Sequence, residues 1–592
     1  MRTLLPRLGL LALVLLAPLP ARTAESKPSA DAAFEALADD FLRGYLAWRP
    51  GLGVSLGLHE YDGRITDVSR ASVEAEIARL KDFARRLDRI RVRDLSPRAS
   101  HGLRLVQTAI RRQLFQFEDL RSYSHNPMTY AGAMDVNIYV KRDFASFEER
   151  VRHLTAILEQ APAVYAAARA NLADRLARPH VETAIQVAEG SADFLAKDLV
   201  VALEPLKDPA LRRRFEAANT RAVAEVRGYA AWLKETRLPR AHDRFALGRA
   251  KFARMLRDGE LISESPEAIL KVGLRELRAE QDRLAAAARL IDPAKKPLDV
   301  IKAVQRDHPT EQSLIPDTRQ NLEAIRQFLV DRRIITIPSE VRAKVDETPK
   351  FARATSFASM DTPGPFETRA TEAYYYVTPV EPEWPAAQKE EWLTAFNYYT
   401  TDIVSIHEAY PGHYLQFLCL NASPANRLEK ILDSYAFIEG WAHYTEQMMM
   451  EEGFGPNMPS RVPQSDTVKT AKYQVAQSVE SLLRLCRLVA AIRMHCQDMS
   501  VDEATRFFVE NCYYEEKPAR QEAVRGTYDP EYLYYTVGKL QFLKLREDWK
   551  RQEGAAYSLQ RFHDEALRHG MPPVRLLREL MLKEPKLWDK TF

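Results

Sequence analysis

The chain has 592 residues, with 85 Lys plus Arg against 82 Asp plus Glu and a formal charge of +3. That near-balance, without a long basic run, argues against nucleic acid as a main partner. A composition of 46% hydrophobic and 28% charged residues is that of a soluble globular protein, and the length predicts two or three lobes or one large composite fold.

Arg2 and Arg7 precede an apolar run from Leu8 to Leu19, followed by Pro20-Ala21-Arg22-Thr23-Ala24. This is the layout of a secretory signal, expected to be cleaved after Ala21 or Ala24. The run is short for a permanent membrane span, which is the alternative reading. No cysteine follows it, so a lipid anchor is not expected. The chain therefore reads as exported, periplasmic in a Gram-negative source, with residues 1–24 as signal peptide. Cys419, Cys486, Cys496 and Cys512 all fall in the last third and form no CxxC pair, which speaks against a disulfide scaffold and cysteine zinc ligation. Cys496 with Cys512 is one candidate bridge; buried free thiols are the other reading.

Residues 25–340 read as a helical N-terminal region. Phe34, Leu37, Phe41, Tyr45 and Leu46 recur at helical spacing, and Arg49 to Asp67 reads as a Gly-rich loop. Further helices are predicted over Ser72–Arg91, Ser96–Ser122, Phe147–Leu176, Val181–Ala202, Pro209–Glu235 and Pro316–Asp331. Another opens at Ser265-Pro266-Glu267, with serine as N-cap and proline at the first helical position. After Pro338 the character changes. Glu372 to Thr378 reads as a strand, which is either a structural hairpin or an edge able to hold an extended peptide. Residues 341–592 then carry the chemistry.

Ser405 to Tyr414 reads S-I-H-E-A-Y-P-G-H-Y, and Glu439 follows in Ile438-Glu439-Gly440-Trp441. Two imidazoles and a carboxylate suit a single catalytic zinc, which uses three N/O ligands and leaves a position for water. Manganese or cobalt also suits such a donor set. His407 and His413 are six apart, about 120° out of phase and roughly 9 Å along a regular helix, so a straight helix keeps them from one ion. Pro411 and Gly412 supply the break: the proline ring clashes with the carbonyl of His407, and glycine accepts unusual dihedrals. Glu408, beside the first ligand, is placed to take a proton from water. A helix is predicted over Arg427–Glu452, with Glu439, His443 and Glu446 on one face. His443 and Glu446 are expected to orient the ligand histidines through their ring nitrogens. An ordinary polar helix face with buried histidines is the alternative.

These residues resemble the bacterial family catalogued as domain of unknown function 885, grouped with gluzincin-like metallopeptidases. The resemblance lies in Trp48-Arg49-Pro50, Gly57-Leu58-His59-Glu60-Tyr61-Asp62-Gly63, His407-Glu408-x-x-Pro411-Gly412-His413, Glu439-Gly440-Trp441-Ala442-x-Tyr444, and Gln541 to Gly570 with Phe562-His563. It implies a mainly α, multi-lobed helical fold with a small β-sheet next to a zincin-like active-site helix. It also implies one zinc on His407, His413 and Glu439, with Glu408 as general base. His443 stands where the family usually has an apolar residue, and Asp529-Pro530-Glu531-Tyr532 replaces a stretch usually richer in Pro-Gly-Gln.

Donors to a developing oxyanion are sought among Tyr528, Tyr534, Tyr535 and His495, and the family resemblance favours Tyr528, then His495. Tyr375, Tyr535 and Arg525 are candidate substrate contacts; Arg525 and Arg520 suit a substrate carboxylate. The expectation is an exported zinc peptidase acting on oligopeptides or other small amides. A metal-dependent amidase or esterase on a non-peptide substrate, or a catalytically silent periplasmic binding protein, are the alternatives.

Overall fold

Short polar side chains start several long helices of the computed structural model, which describes residues 29–349, 353 and 357–592. The leader and its cleavage point lie outside the described residues. Ser265 accepts a hydrogen bond from the Ala268 amide and opens Pro266–Ile291, with the proline in the first turn. Ser434 and Ser465 do the same for Tyr435–Glu451 and Asp466–Cys496. Asp466–Cys496 is buried around most of its circumference, and two of its buried polar side chains, Arg484 and Arg487, are paired with acids. The protein is mainly helical with one small sheet. Among the described residues no helix is long and apolar enough to cross a membrane.

Several helices differ from their sequence expectation for local reasons. Phe147–Leu176 is two helices, Phe147–Leu158 and Ala161–Asn171, because Pro162 cannot bond back to the Leu158 carbonyl. Arg49–Asp67 is not a plain loop: Pro50 starts the short helix Pro50–Ser55, and a 3₁₀ turn follows at His59–Tyr61. Arg427–Glu452 divides into Arg427–Ile431 and Tyr435–Glu451, since the capping geometry of Ser434 is not helical. Three other helices end in π-turns, at Phe115–Asp119, Phe194–Asp198 and Leu233–Arg237.

The apolar faces collect into two large cores and a small one. Residues from Phe34 to Leu233 form the first, joined by Leu428, Ile431, Leu432 and Leu576. The second takes in residues from Leu277 to Leu582, including Ile406, Phe437, Trp441 and Phe542. The small core, with Phe252, Ala436, Leu488 and Val537, packs at the start of Tyr435–Glu451.

The sheet has the order β1–β3–β2, with β1 at Lys344–Glu347, β2 at Ala358–Asp361 and β3 at Tyr374–Val377. β1 runs parallel to β3 and β2 antiparallel. The tyrosine-rich strand is thus central, with both edges already paired, and cannot itself receive a peptide as an edge strand does. Tyr375 lies with its hydroxyl 3.3 Å from Ser405 Oγ, so the sheet rests against the helix that carries His407. The segment before β3 is held by the Gly57–Gly63 stretch. Leu56 O accepts from the Phe366 amide at 3.0 Å, and His59 bonds Asp62 at 3.1 Å and Glu367 at 2.9 Å.

Glu260 ties the N-terminus of Tyr435–Glu451 to the rest of the protein. Its buried carboxylate bonds Ser434 Oγ and accepts from the Ala436 amide at 3.3 Å. Burial outweighs the nearby Arg112 guanidinium and pushes this carboxyl up to about 7, with Glu531 adding to the rise. The unfolded chain releases this proton near pH 4.5, whereas the native protein keeps it to about 7. Stability from this group is full below the lower value and declines as pH rises through that window, by about 3 kcal/mol in all. Glu260→Gln keeps the shape without the titration. Urea unfolding is expected to show the variant gaining on wild type between pH 5 and pH 8, and parallel pH profiles would refute the assignment.

Candidate metal centre

The helix Tyr398–Glu408 stops one residue past His407, and a new helix, His413–Ala422, begins at the second histidine. Between them the Tyr410–Pro411 peptide is cis. The Gly412 amide donates to Ile406 O at 2.9 Å. A Cβ on Gly412 would stand 1.8 Å from His407 O, so only glycine permits this close return of the chain. Trp441 holds the break from outside, its indole N–H donating to Pro411 O at 2.9 Å. The Glu-Gly-Trp stretch therefore supplies a carboxylate at Glu439 and a brace two residues later.

The break brings both histidines onto one carboxylate. Glu439 Oε2 lies 3.4 Å from His407 Nε2 and 3.5 Å from His413 Nε2, and the three ligating atoms lie within 4.8 Å of one another. The two rings stand nearly perpendicular, with centroids 4.9 Å apart. Glu439 Oε2 is buried and has no hydrogen-bond partner, although two imidazoles face it. Both distances exceed the 2.7–3.2 Å range typical of an N–H···O bond. They match instead the edge of a tetrahedron with metal–ligand bonds of ~2.1 Å, which is about 3.4 Å. The donor set fits a small divalent cation.

Glu446 fixes the first histidine. Its Oε1 is 2.8 Å from His407 Nδ1 and its Oε2 is 3.0 Å from His443 Nδ1. An ionised carboxylate only accepts, so each Nδ1 carries a proton, and Nε2 is the His407 atom turned toward Glu439. Burial opposes the charge on Glu446, but Arg484, His443 and His407 outweigh it and hold the carboxyl well below the usual range. Glu439 is likewise held well below it against burial, by His413 and His407. Glu408 is half-buried and, among the described residues, makes neither an ion pair nor a hydrogen bond. It is the unengaged carboxylate of the site.

Other expected residues lie elsewhere. His443 bonds Glu446 and touches neither ligand histidine; its role is to share that carboxylate, not to orient a ligand. His495 is buried with both nitrogens used: Nδ1 accepts from the Leu247 amide at 3.2 Å and Nε2 donates to Gly526 O at 2.7 Å. It has no proton to offer a substrate. Tyr528 packs edge-on against His180, at 6.3 Å, rather than against the ligand histidines. Tyr534 is fully buried, with its hydroxyl on Met255 O. Tyr375 is only 1% exposed and supports the His407 helix from beneath, closed off from solvent. Arg520 pairs with Asp502 on the surface at 2.7 Å.

Tyr535 does reach the site. Its ring stacks on His407 with centroids 6.3 Å apart and planes 18° from parallel. Tyr435, which the sequence did not single out, packs against Tyr535 at 5.8 Å and receives a hydrogen bond from Arg525 Nη2 at 3.3 Å. His563, prominent in the sequence, is structural: its Nδ1 donates to Ile334 O at 2.8 Å, leaving Nε2 to accept from Tyr444 at 2.8 Å. All four cysteines are free thiols in the structure, so Cys496 and Cys512 are not bridged.

A large helical fold with a partly buried His-His-Glu cluster defines the structural class. The chain belongs to the family described as bacterial protein of unknown function (DUF885), whose pattern matches residues 50–581. It is similar in structure to a candidate lipoprotein of unknown function from Shewanella oneidensis, at 22% identity and a TM-score of 0.75, covering 93% of this chain and 100% of that one. A candidate lipoprotein from Colwellia psychrerythraea matches at 16% identity and a TM-score of 0.77, covering 95% and 100%. No curated protein matches the sequence significantly.

Proposed function

We propose that the chain is an exported zinc-dependent peptidase of gluzincin type, acting on oligopeptides. The observation that carries this reading is the placing of two imidazole nitrogens, at 3.4 and 3.5 Å, on one buried, unpartnered oxygen of Glu439. His407, His413 and Glu439 would hold the ion, which supplies a Lewis acid and a more acidic water. The adjoining residues supply the proton handling. Glu408, with no competing partner, takes the proton of the attacking water at its carboxylate and returns it to the departing amine. Tyr535, stacked on His407 and kept protonated by burial and by the Glu439 charge, is the donor to the oxygen that becomes negative. It takes the part first sought in Tyr528 and His495. Export rests on the sequence of residues 1–24.

The test is metal content together with turnover. The purified chain is expected to carry one zinc, to cleave members of an oligopeptide library, to lose both on chelation and to regain both with added zinc. Glu439→Gln is expected to lower metal content directly, a readout independent of activity. Zinc without turnover on any peptide would sink the peptidase assignment, and failure to bind zinc would sink the metal site.

A further inference from the structure

Three arginines crowd one phenol ring beside the metal centre. The guanidiniums of Arg487, Arg484 and Arg525 lie 5.0, 5.7 and 5.9 Å from the centre of the Tyr535 ring. With that ring 6.3 Å from His407, the Arg487 guanidinium stands within about 11 Å of a ligand ring. Three extended residues span that distance, at about 3.3–3.6 Å each.

Each arginine is already held by an acid. Arg484 gives Nη1 to Glu480 at 2.6 Å and has Nη2 3.5 Å from Glu446, so it serves the metal side. Arg487 forks through Nε and Nη2 onto Glu522, at 2.7 and 2.8 Å. Arg525 uses Nε on Asp529 at 3.0 Å and Nη2 on the Tyr435 hydroxyl at 3.3 Å. A guanidinium carries five N–H donors in a rigid fork. Among the described residues, Nη1 of Arg487 and Nη1 of Arg525 remain unclaimed. Both groups are fixed in orientation by ring and acid, so they lose little freedom when a second carboxylate arrives. The two free N–H groups suit an acceptor such as a carboxylate; an ammonium carries donors only and has no lone pair to offer them.

We infer that Arg487 and Arg525 anchor the C-terminal carboxylate of a peptide, so that the chain releases one to three residues from C-terminal ends. This rests on the metallopeptidase reading above. An acidic side chain on the leaving segment offers the same chemistry, and the test separates the two. Zinc-loaded wild type is given N-acetylated tetra-alanine as the free acid, as its C-terminal amide, and as an amide with glutamate in the last position. The free acid is expected to be cleaved with kcat/KM about 100-fold above either amide, the scale of a lost charge-assisted hydrogen bond. Arg525→Gln is expected to collapse that preference, mainly through KM. Arg525 is only partly buried, and a thermal melt checks that the variant folds. Equal turnover of acid and amide overturns the anchor, and so does a glutamate amide as good as the free acid. Should wild type cleave no peptide, the hydrolase reading falls, and the anchor is judged by calorimetry on metal-loaded Glu408→Gln. Equal affinity for the acid and its amide would overturn it there.

Discussion

Glu408→Gln is expected to lower kcat about 10³-fold, the scale of a lost general base, while zinc content and fold stay as in wild type. The argument begins with what Glu408 does not do. Among the described residues it has no ion pair and no hydrogen bond, whereas Glu446 is bonded to two histidines and Glu439 faces two. Removing its charge therefore breaks no contact, and stability should move by no more than ~0.5 kcal/mol. Glutamine also keeps the shape. A half-buried carboxylate with no partner is free to act on substrate, and proton transfer is the use its place next to His407 allows. The measurement pairs metal analysis with kcat on the best peptide from the library. Retention of turnover within tenfold would mean another group is the base. Loss of zinc along with activity would make Glu408 a ligand. A catalytically silent binding protein predicts no difference at all, because wild type would be inactive as well.

The convergence of His407, His413 and Glu439 was legible because proline and glycine act locally. Pro411 cannot continue the helix and Gly412 alone fits against His407 O, so the sequence carries the geometry of the break within six residues. Glu446 was legible too, since it shares a helix face with Glu439. The tyrosine beside His407 was harder. Tyr528 and Tyr535 are seven residues apart in one aromatic run, and only the packing of Tyr534–Glu553 across Tyr435–Glu451 decides which one meets His407. His495 has the right chemistry in the wrong surroundings, and no periodicity reveals that Leu247 and Gly526 use both its nitrogens. Arg484 and Arg487 were invisible because they lie in a long buried helix whose pattern shows only that it is a helix. Of the three strands, the tyrosine-rich one stood out. Lys344–Glu347 did not, being four residues with a single buried side chain.

The helix crossing that selects Tyr535 makes the second strong expectation. Tyr435–Glu451 and Tyr534–Glu553 meet through Gly440 and Gly538 with almost no space between backbones. A Cβ on Gly440 would lie 2.4 Å from Gly538 Cα, and one on Gly538 would lie 1.9 Å from Ala436 O. These obstacles are main chain and cannot rotate away, so a methyl group forces the helices apart. Glu439 precedes one glycine and Tyr535 lies three residues before the other, so the same displacement pulls Glu439 away from the Tyr535 phenol. Gly538→Ala is therefore expected to cost about 3 kcal/mol, the upper end for overpacking, and to reduce both zinc affinity and turnover. Gly190 supplies the contrast. It lies exposed within Arg178–Asp193, and a Cβ there meets nothing within 4 Å. Gly190→Ala should stabilise the chain by about 0.5–1 kcal/mol through helix propensity alone and leave the site untouched. Denaturant unfolding of the two variants, with zinc titration of each, decides the matter. A Gly538→Ala protein as stable and as tight for zinc as wild type would show that the crossing does not set the site.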